Sequence, residues 1–191
     1  MAIPRNVATI AVIIALTASG CTQPDPNAKP TYACTPSDGG TARPCYKAEY
    51  DLQAKEDALY TEAEAVFRKF VAEDERIYRE GGASGVTPLI LQTTTGDFLK
   101  VRAATYKALK DTHTSLVDGG FRIAWIKRAP ELAAPGAVVT LKNCLDGSTA
   151  KLATAGSKSW HAGFTSDTLN YVREAGVLKI SSASGKDVKG C

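Results

Sequence analysis

The chain has 191 residues, 23 of them basic and 20 acidic, for a formal net charge of +3. Charges of both signs are mixed along it, which argues against a nucleic-acid stripe and against an acidic interaction tail. Setting aside an N-terminal segment that reads as a targeting signal leaves roughly 170 residues, enough for one domain with a core and too few for two.

Met1 to Gly20 carries one charge, Arg5, then the apolar run Val7 to Leu16 and a series of small residues. A basic end, an apolar stretch of about ten residues and small residues before a cut describe a signal peptide. The run is short for a bilayer span, which needs about 20 apolar residues. Ala18-Ser19-Gly20-Cys21 resembles the bacterial lipobox, in which the cysteine is lipidated and becomes the mature N-terminus, although Ala18 stands where that motif usually has leucine. The resemblance implies an acylated Cys21 and an address at the outer face of the cytoplasmic membrane. Thr22 to Pro30 is polar and proline-rich, a tether with nothing to pack. The expected organisation is a lipoprotein signal over 1–20, a lipidated cysteine and tether with a small disulfide loop over 21–45, and one α+β domain over 46–191.

Five cysteines are present; with Cys21 taken by lipid, Cys34, Cys45, Cys144 and Cys191 remain. An even remainder in an exported chain reads as two disulfides. Three pairings are open. The favoured one joins Cys34 to Cys45, closing a short loop with Pro36, Gly39-Gly40 and Pro44, and leaves Cys144 to Cys191. A zinc site fails on spacing, because there is no C-x-x-C and neither His113 nor His161 flanks a cysteine at ligand distance. No metal and no cofactor are expected.

From about Tyr46 the chain turns helical: Leu59, Ala63, Val66, Phe67, Phe70 and Ile77 recur at three- and four-residue steps. Gly81-Gly82 stops that helix, with Arg76 and Arg79 in its last turn, where cations suit the dipole. Pro88 to Gln92 is a short helical turn. Thr94 or Thr95 caps a second helix from Asp97 to about Lys110, with Phe98, Val101, Tyr106 and Leu109 on its buried side. Phe121 to Lys127 then alternates as a strand, and Ala137 to Leu145 is another. Asp146-Gly147 predicts a hairpin into Ser148 to Leu152. Phe164 to Arg173 and Val177 to Ser182 are the last strands, joined at Ala175-Gly176. Helices first and hairpin-connected strands second give an α+β layout, an antiparallel sheet with helices on one face.

That order resembles the NTF2-like (SnoaL-like) cone fold. Over about 46 to 191 the chain is similar to small actinobacterial lipoproteins with this fold, through Cys144-Leu145-Asp146-Gly147-Ser148, Tyr171, Gly176-Val177-Leu178-Lys179-Ile180 and Cys191. Leu178 stands where that family prefers tryptophan. The resemblance implies N-terminal helices, one of them long, packed on a curved antiparallel sheet. Enzymes of the fold work inside the cone, usually with an Asp–His or Tyr–Asp set, while other members are plain binding modules.

No catalytic set stands out in the residues. His113 lies in a polar connector, which places it in solvent. Trp160-His161 sits in a loop between strands, a candidate contact for a ligand or partner. Trp125 and Tyr171, with Phe164, alternate on strands and are candidates to line a pocket, although aromatics at strand spacing usually build core. Ser148-Thr149-Ala150-Lys151 matches S-x-x-K, but that chemistry needs a helix N-terminus and a strand sends residues three apart to opposite faces. G-x-S-x-G, Walker and H-E-x-x-H motifs are absent from the sequence. The reading is therefore an anchored binding or interaction module without catalysis, its partner an unknown protein or small molecule and not nucleic acid. The alternatives are a cone-fold enzyme, isomerase or hydrolase-like, with a buried carboxylate base, and a phage or prophage surface-exclusion lipoprotein.

Overall fold

The fold is known from a computed structural model, which describes Lys29, residues 31–36 and residues 39–191. The signal segment, Cys21 and the tether through residue 28 lie outside the described residues. Among the described residues no helix is long and apolar enough to cross a membrane.

The first element among the described residues is a small hairpin, β1 (Tyr32–Cys34) against β2 (Arg43–Cys45), closed by a Cys34–Cys45 disulfide. It docks on the first helix, α1 (Lys47–Arg79), where Tyr32 and Tyr50 have ring centroids 5.1 Å apart and the Thr35 amide donates to Gln53. At 33 residues α1 is about 50 Å long. Tyr60, Ala63, Phe67, Phe70, Val71 and Ile77 form its buried stripe. Short polar contacts pin its C-terminal half. Glu73 accepts from Thr87 Oγ1 at 2.6 Å and from Arg76, and Glu75 accepts from the Phe121 amide at 2.8 Å.

α2 (Pro88–Thr93) starts at proline and is capped by Thr87, whose hydroxyl accepts from the Ile90 amide at 3.3 Å. α3 (Gly96–Asp111) follows, with Thr95 at its N-cap. The link between them touches the sheet, since Thr95 N–H donates to Ile180 O at 2.8 Å.

Among the described residues the main sheet has five strands: β3 (Thr114–Asp118), β4 (Arg122–Arg128), β5 (Val139–Thr154), β6 (Trp160–Glu174) and β7 (Val177–Val188). All the ladders are antiparallel, and β5, β6 and β7 are neighbours in that order. β3 and β4 share the other edge of β5. β4 pairs with its first half (Arg122↔Asp146 to Arg128↔Leu141) and β3 with its second (Thr114↔Thr154 to Asp118↔Lys151). The expected α+β layout, helices packed on an antiparallel sheet, is what is observed; the sheet is open rather than closed.

Two local expectations are corrected. Asp146-Gly147 is not a hairpin turn, and Ser148 to Leu152 is not a separate strand, because β5 runs through both. Asp146 folds its carboxylate onto the Ser148 amide and hydroxyl, at 2.9 and 2.6 Å, and the register against β6 shifts between Gly147 and Lys151. A local Asp turn thus makes a bulge, which bends a strand without ending it. The second correction is at His161, which lies in β6 opposite Lys151 rather than in a loop.

The second disulfide joins Cys144 to Cys191 on the outer face of the sheet. The inner face carries Val139, Leu141, Leu169, Tyr171, Leu178 and Ile180, which with the α1 stripe, Ile90, Phe98, Tyr106 and Leu109 make the core.

Candidate functional site

A cavity of about 270 Å³ lies between α1, α3 and the inner face of the sheet. α1 gives it Phe67, Phe70, Val71, Asp74 and Tyr78, residues at helical spacing on one face. α3 contributes Phe98 and Arg102, one turn apart, and β6 contributes Thr165, Asp167 and Leu169, alternate residues of a strand. The cavity continues outward into a more polar cleft of about 470 Å³ that holds Asp97, Ser182, Lys186 and Asp187. Arg102, Asp167, Phe98, Thr165 and Ala183 line both compartments and form the wall between them.

The polar groups of the inner compartment form one constellation. Tyr106 Oη donates to Asp74 Oδ1 at 2.7 Å, and Arg102 Nη1 stands 3.6 Å from the same oxygen. The Arg102 guanidinium lies 5.2 Å from the Phe98 ring centroid and 5.8 Å from that of Phe70, within the range of cation–π attraction. Its Nε is buried and has no hydrogen-bond partner among the described residues. Asp167 accepts from Thr165 Oγ1 at 3.1 Å. Room for its carboxylate comes from Gly185 on the neighbouring strand, where a Cβ would overlap Asp167 Oδ1.

Burial raises both carboxylates. For Asp74 desolvation outweighs Arg102 and the Tyr106 hydrogen bond, and for Asp167 it outweighs the Thr165 hydrogen bond and Arg102. Both therefore hold protons in the folded chain at pH values where the unfolded chain has lost them. By linkage, the stability they contribute is full below the ordinary aspartate range, near 4, and falls as pH rises through their raised values. Asp146 acts in the opposite sense: its hydrogen bonds from Ser148 and the Arg122 guanidinium hold its pKa down at about 2, so its contribution is lost only on strong acidification. The melting temperature is expected to rise as pH is lowered toward the ordinary aspartate value from above. In an Asp74→Asn, Asp167→Asn chain that slope should flatten; an unchanged slope in calorimetry would exclude these carboxylates as its origin.

The four sequence candidates are not brought together. Trp160 and His161 are exposed at the start of β6, with Trp160 44% exposed, and neither lines the cavity. Trp125 faces outward on β4, where its Nε1 donates to Cys191 O at 3.2 Å. Tyr171 faces inward but is fully buried in the core, its hydroxyl without a partner among the described residues. On α3, Val101 is 55% exposed at the outer cleft, and Arg102 takes the inward position. The residues missed by periodicity are Asp74, Arg102 and Asp167. Their signal was a charge on an otherwise apolar stripe: Asp74 follows Phe70 by four, and Arg102 lies midway between Phe98 and Tyr106.

No family model matches the chain, and no curated protein and no solved structure is significantly similar to it.

Proposed function

We propose that this chain is a lipoprotein, held at the outer face of the cytoplasmic membrane by a lipid on Cys21, whose NTF2-like cone binds a small molecule without transforming it. The observation that carries the reading is the two-compartment cavity with a donor in its wall, Arg102 Nε, that has no partner among the described residues. A mostly apolar chamber with a few convergent polar groups is the common form of a ligand pocket. A buried N–H without a partner costs about 1–3 kcal/mol, which a ligand oxygen would return. The ligand this favours has a compact aromatic or branched apolar body that sits among Phe67, Phe70, Phe98 and Phe121, and an acceptor oxygen that reaches Arg102.

The experiment uses full-length chain extracted from bacterial membranes, with its intact mass taken first and anilinonaphthalene sulfonate as the binding probe. A diacylglyceryl-modified chain beginning at Cys21 and saturable probe binding, weakened about tenfold or more by Arg102→Met, are expected. An unlipidated mass would sink the anchor, and equal binding by the variant would sink the pocket.

The two desolvated carboxylates favour a second reading, in which Asp167 is the general base of a cone-fold enzyme. A carboxylate raised by burial is better matched to proton abstraction near neutral pH. That reading requires chemical turnover of a bound compound, abolished by Asp167→Asn while affinity is kept.

A further inference from the structure

The outer face of the sheet carries a second constellation, which meets the cavity's outer cleft along β7 at Gly185 and Lys186. Ser166 and Thr168 on β6 point outward, on the side opposite Thr165 and Asp167. The ladders set Lys142 and Ser184 on either side of Thr168, and Lys186 beside Ser166. These residues, with Gly185, line a groove of about 230 Å³. Among the described residues no side chain bonds to the Lys142 or Lys186 ammonium or to the Ser166, Thr168 and Ser184 hydroxyls. Lys127 lies across the ladder from Lys142, its ammonium 5.1 Å from the Trp125 ring centroid, and adds a further positive charge. On the same face Asp146 is already engaged, by Arg122 at 2.6 Å and by Ser148. The groove thus combines two lysine ammonium groups that make no ion pair among the described residues with a row of hydroxyl donors at strand spacing.

We propose that this groove is an anion site for a phosphate- or sulfate-type oxyanion. The Lys142 and Lys186 ammonium groups bracket the anion, and Ser166, Thr168 and Ser184 donate to its oxygens. Lysine acts here as a point charge, and hydroxyls that rotate freely fit the several oxygens of a tetrahedral anion better than the two of a carboxylate. Two sources share this chemistry, a free phosphorylated solute and the headgroup phosphate of an anionic bilayer.

The test follows amide NMR shifts of the full-length chain in phosphatidylcholine nanodiscs. One arm titrates inorganic phosphate, and the other replaces part of the lipid by phosphatidylglycerol. Saturable phosphate shifts at Ser166, Thr168, Ser184 and Lys186, weakened at least tenfold by Lys142→Gln with Lys186→Gln, support a site for a free solute. Shifts at the same amides on adding phosphatidylglycerol, lost in that double variant, support a headgroup source. Absence of both responses overturns the proposal, as does an equal loss in Lys55→Gln, an exposed lysine on α1, because the effect would then be general charge.

Discussion

Gly82→Ala should destabilise the fold by about 3 kcal/mol or more, whereas Gly81→Ala, one residue earlier, should cost only about 1–2 kcal/mol. Both glycines end α1 with positive φ, +76° at Gly81 and +90° at Gly82. The backbone strain of an alanine is therefore similar at the two sites, and packing separates them. A Cβ at Gly81 would meet nothing closer than 3.8 Å. At Gly82 it would stand 2.6 Å from Lys110 N and 2.9 Å from Leu109 Cβ, and closer still to Tyr106 O. These are mostly backbone atoms of α3, which cannot give way as a flexible side chain would. Gly82 also donates its N–H to Ile77 O, and Ala83 donates to Tyr106 O, so the junction fixes α3 against α1. Pushing α3 outward would stretch the Tyr106–Asp74 hydrogen bond and open the cavity. Urea midpoints followed by circular dichroism check the comparison; equal losses at the two glycines would show that close helix approach is not what Gly82 provides.

Removing the Cys144–Cys191 disulfide as a Cys144→Ser, Cys191→Ser pair should cost about 4 kcal/mol, and removing Cys34–Cys45 about 3 kcal/mol, in the chain-entropy model. The sequence separations are 47 and 11 residues. Location widens the difference in consequence. The long loop encloses the second half of β5 and all of β6 and β7, so its bond limits the unfolded freedom of most of the sheet. The short loop closes a hairpin docked on the first turns of α1, remote from the cavity. Scanning calorimetry should show the main transition falling by on the order of 10 °C for the first pair. For the second pair the loss should be smaller, with the cavity residues unperturbed. A larger fall for the Cys34–Cys45 pair would mean that the hairpin, rather than the sheet, limits stability.

The helices were legible because their signals are local. The three- and four-residue stripe from Leu59 to Ile77, the Gly81-Gly82 stop and Pro88 each act within a turn or two. The sheet was legible in order but not in boundaries. β3 was missed because Thr114 to Asp118 is short and only Thr114 and Leu116 are buried. Asp146-Gly147 is a strong hairpin signal, but the long ladders to β4 and β6 outweigh a local turn and turn it into a bulge. For the cavity, composition pointed to aromatics and histidines, whereas the polar groups that meet are Asp74, Arg102 and Asp167. They come from α1, α3 and β6, and only packing brings such distant positions together.

The shared edge of β5 has a consequence for how the sheet avoids misassembly. A one-residue slip against a single neighbour would turn Leu141, Asn143 and Leu145 from the inner face to the outer. Here β4 reads the first half of the strand and β3 the second, with β6 spanning both, and the register shift after Gly147 keeps the two halves from being interchangeable. A slipped pairing that satisfied one partner would leave the other out of step. β5 therefore serves as an alignment key: a single position of it has to suit three neighbours at once.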